Sequence, residues 1–309
     1  MSLRNALTVS ELAACVAERL AVIDLSKEQW QAETSWFLDE ATGYTASERL
    51  LHGEAPVRRE AISLLARWLD CRIKERTPIQ YILGQAWFYG LKLLVTPDVL
   101  IPRPETELLV DEAIAFCREL YKTRSGQPVR VLDLCTGSGA IPLALKYVLK
   151  DDIQVSGADL SPEAVAVARQ NASMLGLDVS FFIGDLFAPF DRNQNAEALD
   201  SQFDLIVGNP PYVDLAGAGS LTKEVVDHEP HMALFAPGHR LSIHERLIAE
   251  APRYLADANG VVGVEIGYGV AEAVHALFTQ NGYEQVRVLR DFAGLERLMW
   301  ARFGAAANS

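Results

Sequence analysis

Residues 208–214 read GNPPYVD and follow directly on the apolar run FDLIV (203–207). Two consecutive prolines cannot extend a sheet, because neither supplies an N–H and each fixes its own backbone. Their rigidity suits positioning. Asn209 carries an acceptor oxygen on its side chain, and the Pro210 carbonyl is held in place by Pro211. Together they can receive both N–H bonds of a planar amide or amine, with Tyr212 stacked on its plane. The nitrogen's out-of-plane face is then left for an electrophile. Such positioning is worth about 7–11 kcal/mol at its upper end. The alternative is a sharp structural turn that PPY merely stiffens.

A second chemical signal is VLDLCTGSGAI (131–141), a strand running into a glycine-rich turn and then a helix. Gly137 and Gly139 permit a tight bend and a close approach of backbone to ligand. The dinucleotide fingerprint wants a third glycine three residues on, and Pro142 stands there instead. Proline is tolerated in a first helical turn, but its presence disfavours pyrophosphate binding of the NAD type. Asp159 ends the next strand, 20 residues after Gly139. An acid there accepts hydrogen bonds from ribose hydroxyls, or else supplies negative charge to the following helix. GDLF (184–187) ends a third strand. Asp185 could take the exocyclic amine of adenine, with Leu186 against the ring. Three signals on consecutive strand ends fit a nucleoside at the carboxyl edge of an open sheet.

The elements that must present these residues are legible around them. From about 106 onward strands alternate with helices, which implies parallel strands with right-handed crossovers. The strand segments are 129–135, 153–160, 179–186, 203–210 and 260–267, followed by 283–292 and 297–303. The last two are joined by a short turn, so one antiparallel strand should enter the sheet. SPEAVAVARQNASMLG is a helix with Ser161 as N-cap, Pro162 at its first position and Gly176 past its end. Residues 1–76 read as a small helical domain with capping boxes TVSE (8–11), SKEQ (26–29) and TASE (45–48). A helix from Pro56 to about Glu75 puts Ile62, Leu65, Trp68 and Leu69 on one face, and Trp30, Trp36 and Trp68 are expected in the core. Residues 77–105, with Gly84, Gly90 and three prolines from 97 to 104, suggest a hairpin and an extended connector to the domain at 106–309.

Composition narrows the function classes. The chain has 309 residues, half of them apolar, and a net charge of −13. Residues 1–76 hold 10 Lys+Arg against 12 Asp+Glu, which is −2 and leaves −11 for the remainder. Such acidity repels phosphate backbones and argues against direct nucleic-acid binding. Cys15, Cys71, Cys117 and Cys135 form no CxxC pair, which argues against a structural zinc and for reduced thiols. No apolar stretch approaches the roughly 18 residues of a spanning helix, and the N-terminus lacks a signal-peptide pattern. A cytoplasmic, monomeric protein without a membrane or metal partner is expected.

Seven strands with this ending are similar to the class I, Rossmann-like fold of S-adenosyl-L-methionine-dependent methyltransferases. NPPY after the fourth strand looks like the motif of those that modify amide or exocyclic amino nitrogen. TPIQYILGQAWFYGLKLLVTPDVLIPRPETELLV (77–110), LDLCTGSGAI, NPPYVD, HEPHMAL (228–234) and RDFAGLERLMWARF (290–303) together resemble the HemK/PrmC family of protein-(glutamine-N5) methyltransferases. The resemblance implies a substrate, the glutamine of the Gly-Gly-Gln loop of peptide chain release factors, and S-adenosyl-L-methionine as cofactor. It implies that Cys135, Thr136, Gly137, Ser138, Gly139, Asp159 and Leu186 contact the cofactor. Asn209, Pro210, Pro211 and Tyr212 would hold the substrate amide. It further implies that the N-terminal helices help dock the substrate. Residues 58–76, with six basic and three acidic side chains, would face that partner or simply solvent. His228 and Glu229 would shape a lid with the Gly-rich loop before them.

One residue departs from the pattern. Cys135 stands where release-factor enzymes more often have glycine, and the branch acting on ribosomal protein L3 often has CTGSG. PRPETE (102–107) and DFAGLERLM look like the release-factor branch. An adenine-N6 DNA methyltransferase also uses NPPY but needs a basic channel for its flipped base. A non-catalytic module responsive to S-adenosyl-L-methionine is the reading from another class, and the intact NPPY counts against it.

Overall fold

The computed structural model describes residues 8–191, 202–214, 219, 221–257 and 259–304. Leu215–Ala218 and Ser220, in the Gly-rich loop expected to shape a lid, lie outside the described residues. The chain forms two units, Met1–Gly84 with Lys223–His228 and Gln85–Thr222 with Glu229–Ser309. Among the described residues, no helix is long and apolar enough to cross a membrane.

The first unit is helical. All three capping boxes are made: Thr8, Ser26 and Thr45 accept from the backbones of Glu11, Gln29 and Glu48, whose side chains reach back. They start the helices Val9–Leu20, Lys27–Thr42 and Ala46–Leu51. The next helix, Arg59–Asp70, begins three residues after Pro56 and continues as a wider π turn, Cys71–Glu75, that ends on left-handed Arg76. Leu65 and Leu69 are buried with Leu12, Val16 and Phe37, and Ile62 and Trp68 pack on the same cluster. Trp30 joins it too, whereas Trp36 is 44% exposed. Its helix neighbour Phe37 takes the inward position, and successive helical residues point about 100° apart. Arg72 is buried in this unit, held by both oxygens of Glu33 at 2.8 and 2.9 Å and approached by Glu224 at 3.4 Å. Glu224 also pairs with Arg76 at 2.7 Å. Lys74 pairs with Asp70 at 3.1 Å, so three of the six basic residues in 58–76 are engaged within the unit. His228 likewise places Nε2 2.8 Å from the Glu75 carbonyl.

The second unit opens with a hairpin, β1 (Gln85–Phe88) and β2 (Leu91–Leu94). Its two turn residues, Tyr89 and Gly90, both have positive φ, 50° and 76°. This matches the twist that a two-residue hairpin demands. The main sheet contains β3 (Val129–Leu134), β4 (Ile153–Asp159), β5 (Ser180–Ile183), β6 (Leu205–Gly208), β7 (Val261–Glu265), β8 (Tyr283–Arg290) and β9 (Glu296–Phe303). Their order is β5-β4-β3-β6-β7-β9-β8. β3 to β7 are parallel, and β9 runs antiparallel to both β7 and β8. Seven strands thus stand where the alternation placed them. The central strands are apolar on both faces because helices cover both faces; two separate clusters of buried side chains flank the sheet. The helix Pro162–Leu175 begins at the Ser161 cap and ends at Gly176, φ 64°. All five parallel strands aim their carboxyl ends at one edge, and the chemistry-bearing residues follow from that.

Candidate active site

The glycine turn is sharp because three of its five residues leave the normal L-residue region. Cys135, Gly137 and Gly139 have φ of 59°, 53° and 79°. Gly139 caps the helix Ala140–Leu149, and a Cβ there would press on Leu143, Ala168 and Phe181 at 3.1–3.2 Å. At Gly137 a Cβ would meet nothing within 4 Å. Thr136 ties the turn to the neighbouring strand through its N–H and the Ala158 carbonyl at 3.1 Å. Asp159 accepts from the backbone N–H of Gly137 at 2.8 Å and of Ser161 at 3.0 Å. One carboxylate therefore anchors both the turn and the start of the next helix. Burial raises its pKa, against the backbone N–H groups that hold it down.

These elements enclose a cavity of about 490 Å³ at the carboxyl edge, within the usual range of small-molecule sites. Cys135, Thr136, Gly137 and Ser138 line it on one side. Asp159, Asp185 and Leu186 line it from β4 and the end of β5, and Asn209 and Pro211 from the end of β6. Gly139, Pro210 and Tyr212 do not line it. Gly139 is absorbed in helix packing, and Pro210 is buried. The Tyr212 ring lies against Gly267. Asp185 is also engaged by Arg246 at 2.9 Å, and this ion pair leaves one carboxylate oxygen for another partner.

β6 can run directly alongside β3 because Gly208 has no side chain; a Cβ would stand 2.7 Å from the Leu134 carbonyl. Asn209 follows. Its Nδ2 lies 3.4 Å from Thr106 Oγ1, and that hydroxyl donates to Glu265 Oε2 at 2.5 Å. The other Glu265 oxygen accepts from the Tyr212 hydroxyl at 3.3 Å. Burial pushes the Glu265 carboxyl up to about 7, with the Thr106 and Tyr212 hydroxyls opposing the shift. Burial also raises the Tyr212 phenol, with the Glu265 charge adding to it.

Several supporting residues carry no spacing signal in the sequence. Asn171 accepts from Leu94 N–H at 2.7 Å and donates to the carbonyls of Leu94 and Ser138 at 3.0 and 2.9 Å. It therefore joins β2 to the glycine turn. Arg103, on the cavity wall, pairs with buried Glu229 at 2.6 Å, and Glu229 also accepts from Ile101 N–H at 3.4 Å. Beneath the turn, Asp133 is fully buried, with the Thr136 hydroxyl close enough to favour its charged form. Burial lifts its carboxyl to about 8. Thr106 lies inside the PRPETE run, but only its distance to Asn209 reveals a role.

Chemically, this arrangement offers a nucleoside-sized cavity with acids at two strand ends and a fixed carboxamide on its wall. Residues 126–266 match the family described as a methyltransferase domain, and residues 11–84 match the PrmC N-terminal domain. The chain is 36% identical to a release factor glutamine methyltransferase of Geobacter sulfurreducens over 277 residues, 90% of this chain and 91% of that protein. It is 35% identical to a protein of the same name from Bacillus subtilis over 280 residues, 90% and 92% of the two chains. Among solved structures, the hMettl16 catalytic domain in complex with MAT2A 3′UTR hairpin 1 shares the fold, with a TM-score of 0.52 at 14% identity. That match covers 87% of this chain and 92% of that one.

Proposed function

Because the chain belongs to the release factor glutamine methyltransferase family, we propose that it methylates the side-chain nitrogen (N5) of the glutamine in the Gly-Gly-Gln loop of peptide chain release factors. S-adenosyl-L-methionine is the methyl donor. The observation that carries the reading is that Asn209 lines the same cavity as Gly137, Asp159 and Leu186. Release factors act in the cytoplasm, and the enzyme works there with them.

The residues present fit the donor. The open space over Gly137 is where a Cβ would project, and it admits a ligand against the turn. Asp159 uses one lone pair of each oxygen on the backbone, which leaves acceptor capacity for two ribose hydroxyls. Leu186 offers an apolar wall for a purine, and Asp185 an acceptor for its amine. When bound, S-adenosyl-L-methionine supplies an electrophilic methyl group with a neutral thioether as its leaving group.

The chain's own task is to hold a poor nucleophile. An amide nitrogen delocalises its lone pair into the carbonyl, so orientation matters more than basicity. Asn209 Oδ1 and the Pro210 carbonyl accept the two amide N–H groups and turn the nitrogen's face toward the methyl group. Pro211 restricts the backbone of Pro210, which keeps that carbonyl aimed. After transfer the N-methylated amide is very acidic and loses its proton to water or Asn209.

Asn209→Ala should abolish methyl transfer while S-adenosyl-L-methionine affinity, measured by calorimetry, changes little. Turnover retained in that variant refutes the assignment. Labelled S-adenosyl-L-methionine offered with release factors, ribosomal protein L3 and DNA separately tests the substrate. Label reaching only L3 or DNA would overturn the choice of release factors.

A further inference from the structure

Asn209 can hold an amide N–H only if its oxygen, not its NH₂, faces the substrate. The two ends of a carboxamide are nearly equal in size, so shape alone does not select between them. The selection must come from a neighbour whose hydrogen-bonding sense is fixed.

Thr106 is that neighbour. Its hydroxyl is buried between Asn209 Nδ2 at 3.4 Å and Glu265 Oε2 at 2.5 Å. A hydroxyl has one proton to donate. An ionised carboxylate can only accept, so Thr106 spends its proton on Glu265 and is left as an acceptor toward Asn209. The Asn209 NH₂ must then turn to Thr106, and Oδ1 turns away from it. The second Glu265 oxygen takes the Tyr212 hydroxyl at 3.3 Å. One buried carboxylate thus reaches both ends of NPPY. We propose that Thr106 and Glu265 are positioning residues that fix the orientation of the Asn209 amide, and so its ability to accept an N–H from substrate. This role rests on the glutamine-methylating reading given above.

Protonation reverses the sense of the relay. A neutral Glu265 can donate to Thr106, which releases the threonine proton toward Asn209 and favours the flipped amide. An outward NH₂ would meet the substrate's own N–H groups, donor against donor. The groups facing Glu265 are Thr106 and Tyr212 by hydrogen bond, Glu105, which raises its pKa, and Arg297, which lowers it. His244 packs on its backbone, with Nε2 2.9 Å from the Glu265 carbonyl. With a carboxyl pushed up to about 7, kcat should rise through neutral pH as Glu265 ionises.

The experiment compares the full-length wild type, Thr106→Val, Thr106→Ser and Glu265→Gln for release-factor methylation from pH 5.5 to 9, about, with S-adenosyl-L-methionine binding measured by calorimetry. Thr106→Val, of equal shape but without the hydroxyl, should lower kcat about 10- to 100-fold, as a misplaced positioning group does. Its affinity for the methyl donor should stay within about twofold of wild type, since the Thr106 hydroxyl is engaged by Asn209 and Glu265 and makes no bond toward the donor in this role. Both Thr106→Val and Glu265→Gln should lose the acid limb of the kcat profile, and Thr106→Ser should recover most of the turnover together with that limb. A Thr106→Val enzyme with wild-type kcat overturns the proposal, as does one that keeps the acid limb. Failure of Thr106→Ser to recover turnover, or an equal loss of donor affinity and kcat in Thr106→Val, also overturns it. A wild type that methylates no glutamine refutes the function itself, which separates that failure from failure of the relay.

Discussion

At the scale of single residues, Cys135 sits in the glycine turn with a backbone that its side chain disfavours. It has φ of 59°, and Leu186 on the facing strand end has 48°. Both are side-chain-bearing residues in a region that glycine occupies without strain. Holding Cys135 there costs about 1–3 kcal/mol, and glycine would give back about 0.5–1 kcal/mol through its freer unfolded chain. Cys135→Gly should therefore raise stability by about 1 kcal/mol, read as a higher melting temperature at fixed pH. A lower one would mean that the packing of the half-buried Cys135 side chain outweighs the strain. Burial also drives the Cys135 thiol well above its usual range, which makes it a poor nucleophile at neutral pH. Local text was enough to find NPPY, the glycine turn and Asp159, since each sits within a few residues of a strand end. The same text could not show that Tyr212 leaves the cavity wall, because that depends on Glu265, 53 residues further on.

At the scale of elements, the strands were legible because apolar runs with turn residues between them leave few topologies open. Their ends were less so: the segment read as 179–186 is paired only over Ser180–Ile183. Its last residues, Asp185 and Leu186, leave the ladder to face the cavity. Long-range ties are illegible for a different reason. Asn171 reaches Leu94 across 77 residues and Ser138 across 33, and nothing in its own helix marks it except a polar residue on a buried face. Those three bonds fasten the hairpin β1–β2 to the turn that lines the cavity. Asn171→Ala leaves the Leu94 N–H and two carbonyls to find new partners, at a cost of about 1–3 kcal/mol. We expect lower stability in denaturant unfolding and weaker S-adenosyl-L-methionine binding by calorimetry. Unchanged affinity would show that the turn holds its shape without the hairpin.

At the scale of the whole molecule, the chain carries a net charge of −13 and also buries carboxyls that resist ionising. Burial raises Asp133 from 3.8 to about 8. In the unfolded chain this group ionises near 3.8, while in the fold it keeps its proton until about 8. Between those values the folded state binds the extra proton, so the contribution of this group is fully present below about pH 4 and is lost as pH rises toward 8. Glu265, raised to about 7, adds to the same trend over a narrower window. Asp133→Asn should flatten this decline, seen by comparing unfolding free energies of wild type and variant across pH 5 to 8, about. Parallel curves would mean that Asp133 ionises at its ordinary pKa inside the fold. The first unit has a further consequence, one of timing. Glu224, which meets Arg72 and Arg76, belongs to that unit but is encoded long after Gly84. At about 5–20 residues per second, a ribosome needs roughly 7–28 s to pass from one to the other. Throughout that interval the nascent helices hold Arg72 with Glu33 alone, and Arg76 lacks the carboxylate it will finally meet. The unit made first is completed by a strap of chain that emerges after most of the sheet's parallel strands.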